Sequence, residues 1–181
     1  MDPRLKKISK FLSLVLRHKP ETIGLTLDRG GWVDVDELLG AFARHGHEVS
    51  RSTLLQVVET NDKSRFAIRD GLIRASQGHS IDVDLGLVPR TPPDRLFHGT
   101  ATRFLESIRN EGLKRQNRQF VHLSPDNATA ISVGGRHGRP VVLIVNARAM
   151  EDDGCEFYYS ENGVWLVSEV APHFIEFPIT E

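Results

Sequence analysis

Residues that could do chemistry lie at the ends of predicted strands and in one glycine-rich run. Residues 98–100 end a predicted strand just before a predicted helix, where free backbone N–H groups can receive a phosphate or a hydroxyl group. Side chains of residues 118–124 alternate between two faces, so His122 could line a cleft. Residues 134–138 could cradle an anion through glycine backbone and Arg136. The alternatives are a core histidine at position 98 and an ordinary surface loop at residues 134–138.

Basic and polar side chains also gather in the N-terminal half. Arg17 and His18 close the first predicted helix, and Arg65 stands where a predicted hairpin begins. Gln77 and His79 belong to a polar run that follows the hairpin, where a plain turn would suffice. Taken singly these features are ordinary, because cations are favoured near the C-terminus of a helix and polar residues are common in turns.

Three helices and a hairpin are predicted to carry the N-terminal candidates. Apolar residues recur at helical spacing over residues 5–16. A capping-box pattern at Asp34 precedes a second helix, and Ser50 can cap a third. The pair Asp70-Gly71 separates two apolar runs, which is a strong signal for a β-hairpin. Residues 1–80 are therefore predicted to form a winged-helix lobe.

The remainder of the chain follows a different pattern. Residues 81–94 contain three prolines and lack a strong period, so they are predicted to connect two lobes. Short apolar strand candidates follow over residues 95–181, with helical segments at 102–110 and 126–132 between the first three of them. The predicted fold class is α+β, with a second lobe rich in strands.

Composition and charge restrict the class of protein. Hydrophobic residues make up 39% of the 181 residues and charged residues 26%, as in soluble proteins, and no apolar run is long enough to span a membrane. The N-terminus lacks a basic segment followed by an apolar stretch of secretory type, which predicts a cytoplasmic protein. The net charge is −1, but residues 1–80 carry a net +3, so any nucleic-acid contact is expected in that half.

Several other functions lack their motifs. The sequence has no dinucleotide-binding glycine fingerprint after a strand, no P-loop and no serine-hydrolase elbow. The pair His45 and His47 has no third ligand in its run, so no metal site is predicted. The single cysteine, Cys155, excludes an internal disulfide and a cysteine-built zinc site, which suits a reducing cytoplasm.

In chain order, seven motifs resemble those of the tRNA 2′-phosphotransferase family. The motifs are Arg17-His18-Lys19-Pro20, Gly31-Trp32-Val33, Arg65-Phe66, residues 74–80, His98-Gly99-Thr100, residues 118–124 and Asn162-Gly163-Val164-Trp165-Leu166. Seven ordered motifs over nearly the whole chain are far more specific than any one of them. One departure is visible, because the family usually has Asn where this chain has Ser76, which puts that one contact in doubt.

The resemblance implies an NAD⁺-dependent enzyme with two lobes. An N-terminal winged-helix lobe would bind RNA, and a C-terminal ADP-ribosyltransferase-like lobe with a split β-sheet would bind NAD⁺ as co-substrate. The RNA 2′-phosphate would first attack the nicotinamide-bearing ribose carbon and expel nicotinamide. The 2″-hydroxyl of the ADP-ribose would then attack phosphorus, giving RNA with a 2′-hydroxyl and ADP-ribose 1″,2″-cyclic phosphate. A monomer without a metal is expected.

The resemblance also implies roles for individual residues, and the chemistry of the side chains agrees with them. Arg17 and Arg65 would dock the phosphate, because the planar guanidinium fork matches phosphate oxygens two at a time. Arg118 would stabilise the phosphorus in the second step, and His18 would protonate the departing 2′-oxygen near neutral pH. The residues expected near NAD⁺ are His98, Gly99, Thr100, Ser124 and Arg136, and those expected to support the RNA phosphate are Gln77 and His79.

Two other functions compete with this interpretation. One is an ADP-ribosyltransferase that modifies a protein or a terminal phosphate of a nucleic acid and leaves a lasting adduct. The other is a winged-helix nucleic-acid binder without catalysis, which predicts salt-sensitive binding and no NAD⁺ turnover.

Overall fold

The computed structural model describes residues 2–61, 63–136 and 138–178. Within these residues the fold is mixed α/β, with six α-helices and four small antiparallel sheets. The chain divides into two compact units, Met1–Gly86 and Leu87–Glu181. No helix in the described ranges combines the length and apolarity that crossing a membrane requires.

Side-chain caps fix where the three helices of the first unit begin. The helices are α1 (Pro3–Arg17), α2 (Val35–Arg44) and α3 (Arg51–Glu59). The side chains of Asp2, Asp34 and Ser50 accept hydrogen bonds from backbone N–H groups of the respective first turns. Such oxygens satisfy N–H groups that have no partner inside a helix. The caps predicted at Asp34 and Ser50 are confirmed.

A three-stranded antiparallel sheet completes the first unit. Its strands are β1 (Val33–Asp34), β2 (Phe66–Arg69) and β3 (Leu72–Ala75), in the order β1-β3-β2. Asp70 and Gly71 join β2 to β3 with φ values of 49° and 78°, the left-handed backbone that a two-residue hairpin turn needs. The predicted hairpin is therefore confirmed. β1 was not predicted, because two residues are too few to show a period.

The core of the first unit forms where the apolar stripe of α1 meets α2, α3 and the sheet. Leu12 and Leu16 of α1 are buried together with Phe42 of α2, Leu54 of α3 and Ile73 of β3. Burial of each such side chain contributes on the order of 2 kcal/mol. This packing holds the C-terminal end of α1, and with it the pair Arg17-His18, in a fixed place.

The second unit contains three helices and three sheets. Its helices are α4 (Leu105–Glu111), α5 (Asn127–Gly134) and α6 (Ala147–Asp152). Its strands are β4 (Arg95–Ala101), β5 (Leu113–Lys114), β6 (Val121–Leu123), β7 (Pro140–Asn146), β8 (Tyr158–Tyr159), β9 (Trp165–Val167), β10 (Glu169–Val170) and β11 (Ile175–Glu176). The sheets have the orders β11-β7-β4, β6-β9-β8 and β10-β5.

Most elements of the second unit begin close to where the sequence predicts them. The helical segment predicted from residue 102 begins as a 3-10 turn, Thr102–Phe104, and continues as α4. The strand predicted over 174–177 is shorter, because another 3-10 turn, Pro172–Phe174, occupies its start. α6 was not predicted. It is only 6 residues long and directly follows β7, with its start fixed by the Asn146 side chain, so no helical period stands out.

One helix lies directly on a strand in the second unit. The backbone of α5 passes over β4 at Gly99, where a Cβ atom would overlap the carbonyl oxygen of Ala130. From the other side, a Cβ atom at Gly134 would stand 2.5 Å from the carbonyl oxygen of Thr100. Glycine at both positions is what allows helix and strand to approach so closely.

The proline-rich stretch predicted as a connection packs along both units. Val83 is buried near Gly31, and the Asp84 N–H donates to the carbonyl oxygen of Arg29 at 2.7 Å, all within the first unit. In the second unit, Pro89 forms an isolated antiparallel β-bridge with Tyr158, and the Arg90 N–H donates to the carbonyl oxygen of Phe157 at 2.8 Å. The stretch divides between the units after Gly86.

Candidate functional site

Arg17 is the last residue of α1, and the segment after β3 wraps around it. Its carbonyl oxygen accepts a hydrogen bond from the Ser80 N–H at 2.9 Å, and its Nη2 donates to the carbonyl oxygen of Arg65 at 3.3 Å. The backbone of Gly78 lies so close that a Cβ atom there would stand 3.5 Å from Arg17 Nη1. Two other segments of the unit thus hold this half-buried guanidinium.

His18 stands beside Arg17 and is oriented by Ser80. Its backbone N–H still bonds to the carbonyl oxygen of Leu14 at 3.0 Å, so the residue continues the course of α1. Its ring Nδ1 lies 2.9 Å from Ser80 Oγ. The structure therefore brings together Arg17, His18, Arg65 and residues 77–80, which we call the basic cluster.

A buried amide positions Arg65 within the basic cluster. Asn61 is 4% exposed, and its Oδ1 accepts a hydrogen bond from Arg65 Nη1 at 3.1 Å. The Nδ2 of the same amide donates to Ser9 Oγ of α1 at 3.1 Å. Neither Asn61 nor Ser9 was predicted to serve the site. The only signal in the sequence is the polar stretch that interrupts the pattern after the third helix.

If Arg65 docks the RNA phosphate, as the family-like motifs predict, Asn61→Ala should weaken that docking without removing any group that touches the phosphate. Losing a hydrogen bond to a charged group costs about 2 kcal/mol, and a freed Arg65 side chain should raise the KM for 2′-phosphorylated RNA about tenfold. Steady-state kinetics would measure this. Asn61→Asp keeps an oxygen acceptor and should restore most of the affinity, and Thr60→Ala serves as a neighbouring control. An unchanged KM in Asn61→Ala would contradict the positioning role.

Ser76 comes directly before the basic cluster in the sequence and makes two hydrogen bonds to backbone carbonyl groups. Its side chain is buried and its Oγ donates to the carbonyl oxygen of Ser64 at 2.7 Å, while its N–H donates to the carbonyl oxygen of Arg65 at 2.9 Å. Ser64 has a φ of 42°, which is unusual for a residue other than glycine. In this chain the serine at position 76 therefore fixes the turn that leads into Arg65.

His79 is the most deeply buried residue of the basic cluster. It is 1% exposed, and both ring nitrogens are buried without a hydrogen-bond partner among the described residues. Burial, followed by the charge of nearby cations, lowers the pKa of His79 from 6.5 to about 4. The cations are Arg17, His18 and Arg74. His79 is therefore neutral at physiological pH and does not add to the positive charge of Arg17 and Arg65. Gln77, two residues earlier, is half-buried.

Acidification is expected to destabilise the protein through His79. Between pH 6.5 and about 4 the unfolded chain binds a proton at this ring and the folded chain does not, so stability is lost as the pH falls through that window. The shift corresponds to a loss of up to about 3 kcal/mol. Urea unfolding across the window would measure it, and His79→Gln should flatten the curve. Equal pH dependence in wild type and variant would contradict the assignment.

Arg74 belongs to the same region but packs as a structural residue. It is 8% exposed, its Cζ lies 4.5 Å from the centre of the Trp32 ring, and its Nη1 donates to the carbonyl oxygen of Gly30 at 3.4 Å. These contacts hold the loop before β1 against β3. Stacking of this kind between a guanidinium and an indole is favourable by about 1 kcal/mol or more when partly desolvated.

In the second unit, His98 and the segment 118–124 come together. The Nδ1 of His98, in β4, lies 3.1 Å from the carbonyl oxygen of His122 in β6. Ser124 pairs with Phe97 of β4 through both backbone hydrogen bonds, at 2.9 and 2.7 Å. His98, His122 and Ser124 are half-buried, so a ligand at the surface can reach them. We call His98, Arg118, His122 and Ser124 the second-unit cluster.

Arg118 joins this cluster through a side-chain contact. Its Nη1 lies 2.9 Å from Nδ1 of His122. Although the residue as a whole is exposed, partial burial of the guanidinium lowers the pKa of Arg118, and it stays charged at any working pH. His122 thus connects β6 to the exposed guanidinium of Arg118.

Three more residues that the resemblance places near NAD⁺ belong to the same unit. Gly99 and Thr100 follow His98 in β4 and are buried under α5. Arg136 lies just beyond α5, where it is exposed and its N–H donates to the carbonyl oxygen of Val133 at 3.2 Å. The structure gives the Arg136 side chain no hydrogen bond or ion pair within the described ranges. Its neighbour His137, part of the predicted glycine-rich run, lies outside the described residues.

Comparison with known proteins identifies the family to which these clusters belong. Residues 3–169 match the sequence model of a transferase family described as RNA 2′-phosphotransferase, Tpt1 / KptA family. Because the match covers most of the chain, the protein belongs to that family. The resemblance seen in the motifs is confirmed.

Bacterial relatives align with nearly the whole chain. A probable RNA 2′-phosphotransferase of Acaryochloris marina is 56% identical over 179 residues, covering 97% of this chain and 99% of the relative. Relatives with the same description occur in Streptomyces coelicolor, at 57% identity over 97% of this chain and 96% of the relative, and in Flavobacterium johnsoniae, at 55% over 95% and 96%.

Proposed function

We propose that this protein removes an internal 2′-phosphate from RNA by transferring it to NAD⁺. The observation that carries the proposal is the basic cluster, in which hydrogen bonds hold Arg17, His18 and Arg65 together in a chain of the RNA 2′-phosphotransferase family. The products are RNA with a 2′-hydroxyl, nicotinamide and ADP-ribose 1″,2″-cyclic phosphate.

The two units support a division of labour between RNA and NAD⁺. Three helices and a hairpin in the first unit are consistent with a winged-helix lobe that binds RNA. In the second unit, two separate three-stranded sheets agree with the split sheet expected of an ADP-ribosyltransferase-like lobe. The half-buried polar groups of the second-unit cluster suit the hydroxyls and phosphates of a dinucleotide.

In the first step, the RNA phosphate is held while it attacks NAD⁺. Arg17 and Arg65 dock the phosphate dianion, with Gln77 and His79 supporting the backbone around it. His98, Gly99, Thr100, Ser124 and Arg136 are assigned to NAD⁺. A phosphate oxygen bonds to the anomeric carbon of the nicotinamide ribose, nicotinamide leaves with the bonding electron pair, and ADP-ribose becomes joined to the RNA through the phosphate.

In the second step, the ADP-ribose 2″-hydroxyl releases its proton to solvent and attacks phosphorus, and the RNA 2′-oxygen leaves. Arg118 stabilises the negative charge on the phosphoryl oxygens, a role for which a fixed cation is well suited. His18 gives the proton that the 2′-oxygen needs in order to depart. Ser80 holds the ring at Nδ1, and we assign the proton transfer to Nε2.

The test is to incubate the protein with NAD⁺ and a short RNA that carries one internal 2′-phosphate. We expect loss of phosphate from the RNA and an equal amount of ADP-ribose cyclic phosphate, both followed by mass spectrometry. A folded protein that binds NAD⁺ but leaves the RNA phosphate in place would refute the proposal. A lasting ADP-ribose adduct on a protein or a terminal phosphate would instead favour transfer to another acceptor.

A further inference from the structure

A groove of about 480 Å³ runs along α1 in the first unit, and neither proposed step uses it. On the α1 side it is lined by Arg4, Lys7, Ile8, Lys10, Phe11 and Leu14. The opposite side is formed by the end of α2 and the loop that follows it, residues 46–49. We call this feature the α1 groove.

The rim of the α1 groove is positively charged. Arg4, Lys7 and Lys10 are all exposed, whereas Glu48 is the one carboxylate among the residues that line it. An excess of exposed cations along one groove favours a ligand with several negative charges, such as a nucleic-acid backbone.

The floor of the α1 groove is aromatic. The ring of Phe11 lies 4.2 Å from the His47 imidazole, centre to centre, with the planes inclined at 38°, and 5.1 Å from the Phe42 ring. Phe11 and His47 are half-buried, so part of each ring remains accessible. Cationic rims combined with ring faces are the features by which proteins hold single-stranded nucleic acid, because every base can stack on a ring.

The α1 groove is aligned with the basic cluster. Arg4, Lys7, Phe11 and Leu14 follow a spacing of three and four residues, which places them on one stripe of α1, and His18 is the next residue in that series. Its N–H bond to Leu14 shows that the helical course is kept up to His18. From Arg4 to His18 the helix rises about 20 Å, a length comparable to a few nucleotides of an extended strand.

We propose that the α1 groove binds the single-stranded RNA next to the 2′-phosphorylated nucleotide. Backbone phosphates lie against Arg4, Lys7 and Lys10, and a base stacks on the platform of Phe11 and His47. This inference rests on the proposed function, because it takes His18 to mark the position of the 2′-phosphate. It also gives a role to His47, which the sequence pairs with His45 without predicting a metal site.

The test compares two RNAs and three variants by fluorescence anisotropy, without NAD⁺. One RNA is a dinucleotide with an internal 2′-phosphate, and the other places the same unit within about 10 nucleotides. Lys7→Glu reverses a charge in the α1 groove. Lys6→Glu reverses the neighbouring exposed charge on the same helix but outside the groove.

Lys7→Glu should weaken binding of the long RNA about tenfold and reduce its salt slope by about 1, while the dinucleotide binds as before. Lys6→Glu should leave both affinities nearly unchanged. His47→Ala should weaken binding of the long RNA severalfold, because a base loses part of the ring surface on which it stacks. Equal effects of Lys7→Glu and Lys6→Glu, or equal binding of the two RNAs by wild type, would overturn the proposal.

Turnover separates this inference from the proposed function. If wild type binds the long RNA more tightly and Lys7→Glu abolishes that preference, the groove binds RNA whether or not NAD⁺ is consumed. If wild type removes the 2′-phosphate from the dinucleotide but gains nothing from flanking nucleotides, the proposed function stands and the groove proposal is wrong.

Discussion

Arg118→Ala is expected to stop the reaction halfway and to accumulate RNA whose 2′-phosphate carries ADP-ribose. The first step needs the phosphate to be held and nicotinamide to leave, which the proposal assigns to other residues. The second step builds charge on the phosphoryl oxygens, and loss of a cation that stabilises such charge slows phosphoryl transfer on the order of a thousandfold. Mass spectrometry of the RNA over time would show the intermediate.

Two further variants isolate the role of the Arg118 side chain. Arg115→Ala removes an equally charged, exposed residue three positions earlier and should react like wild type. Arg118→Lys keeps the charge but loses the planar fork that reaches His122 Nδ1 at 2.9 Å, so it should recover only part of the second step. If Arg118→Ala slowed nicotinamide release as much as phosphate loss, so that no intermediate accumulated, the assignment to the second step would be wrong.

Local signals predicted much of the first unit. Asp34 and Ser50 begin helices because a side-chain oxygen can bond to N–H groups a few residues ahead, and Asp70-Gly71 makes a hairpin because both residues tolerate a left-handed backbone. Each of these interactions lies within a short window of the sequence. β1, β5, β10 and α6 were missed because strands of two residues and a helix of six are too short to show a hydrophobic period.

The residues that support the candidate site were harder to predict. Ser9 and Asn61 are 52 positions apart, and nothing in either segment indicates that one amide joins α1 to Arg65. The stacking of Arg74 on Trp32 is equally non-local. The family motifs identified which arginines and histidines to consider, whereas the contacts that orient them arise only from tertiary packing.

The contact between α5 and β4 gives the prediction with the largest effect on stability. Gly99→Ala would place a methyl group onto the carbonyl oxygen of Ala130, and backbone on both sides cannot rotate away as a side chain can. We expect the free energy of unfolding of the second unit to fall by more than about 3 kcal/mol, with NAD⁺ binding lost as a consequence. Thermal unfolding and NAD⁺ titration would measure the two effects.

Gly134→Ala and Gly135→Ala show whether disrupted packing or a lost direct contact explains the loss of NAD⁺ binding in Gly99→Ala. Gly134→Ala meets the carbonyl oxygen of Thr100 at 2.5 Å from the helix side, so it should destabilise the unit although no NAD⁺ contact is assigned to Gly134. At Gly135 a Cβ atom stands an ordinary 3.5 Å from the Ile131 carbonyl oxygen, so Gly135→Ala should change stability by less than about 0.5 kcal/mol. If Gly99→Ala were as stable as Gly135→Ala, α5 would not lie on β4 at this point, and any loss of NAD⁺ binding would have to come from direct contact at Gly99.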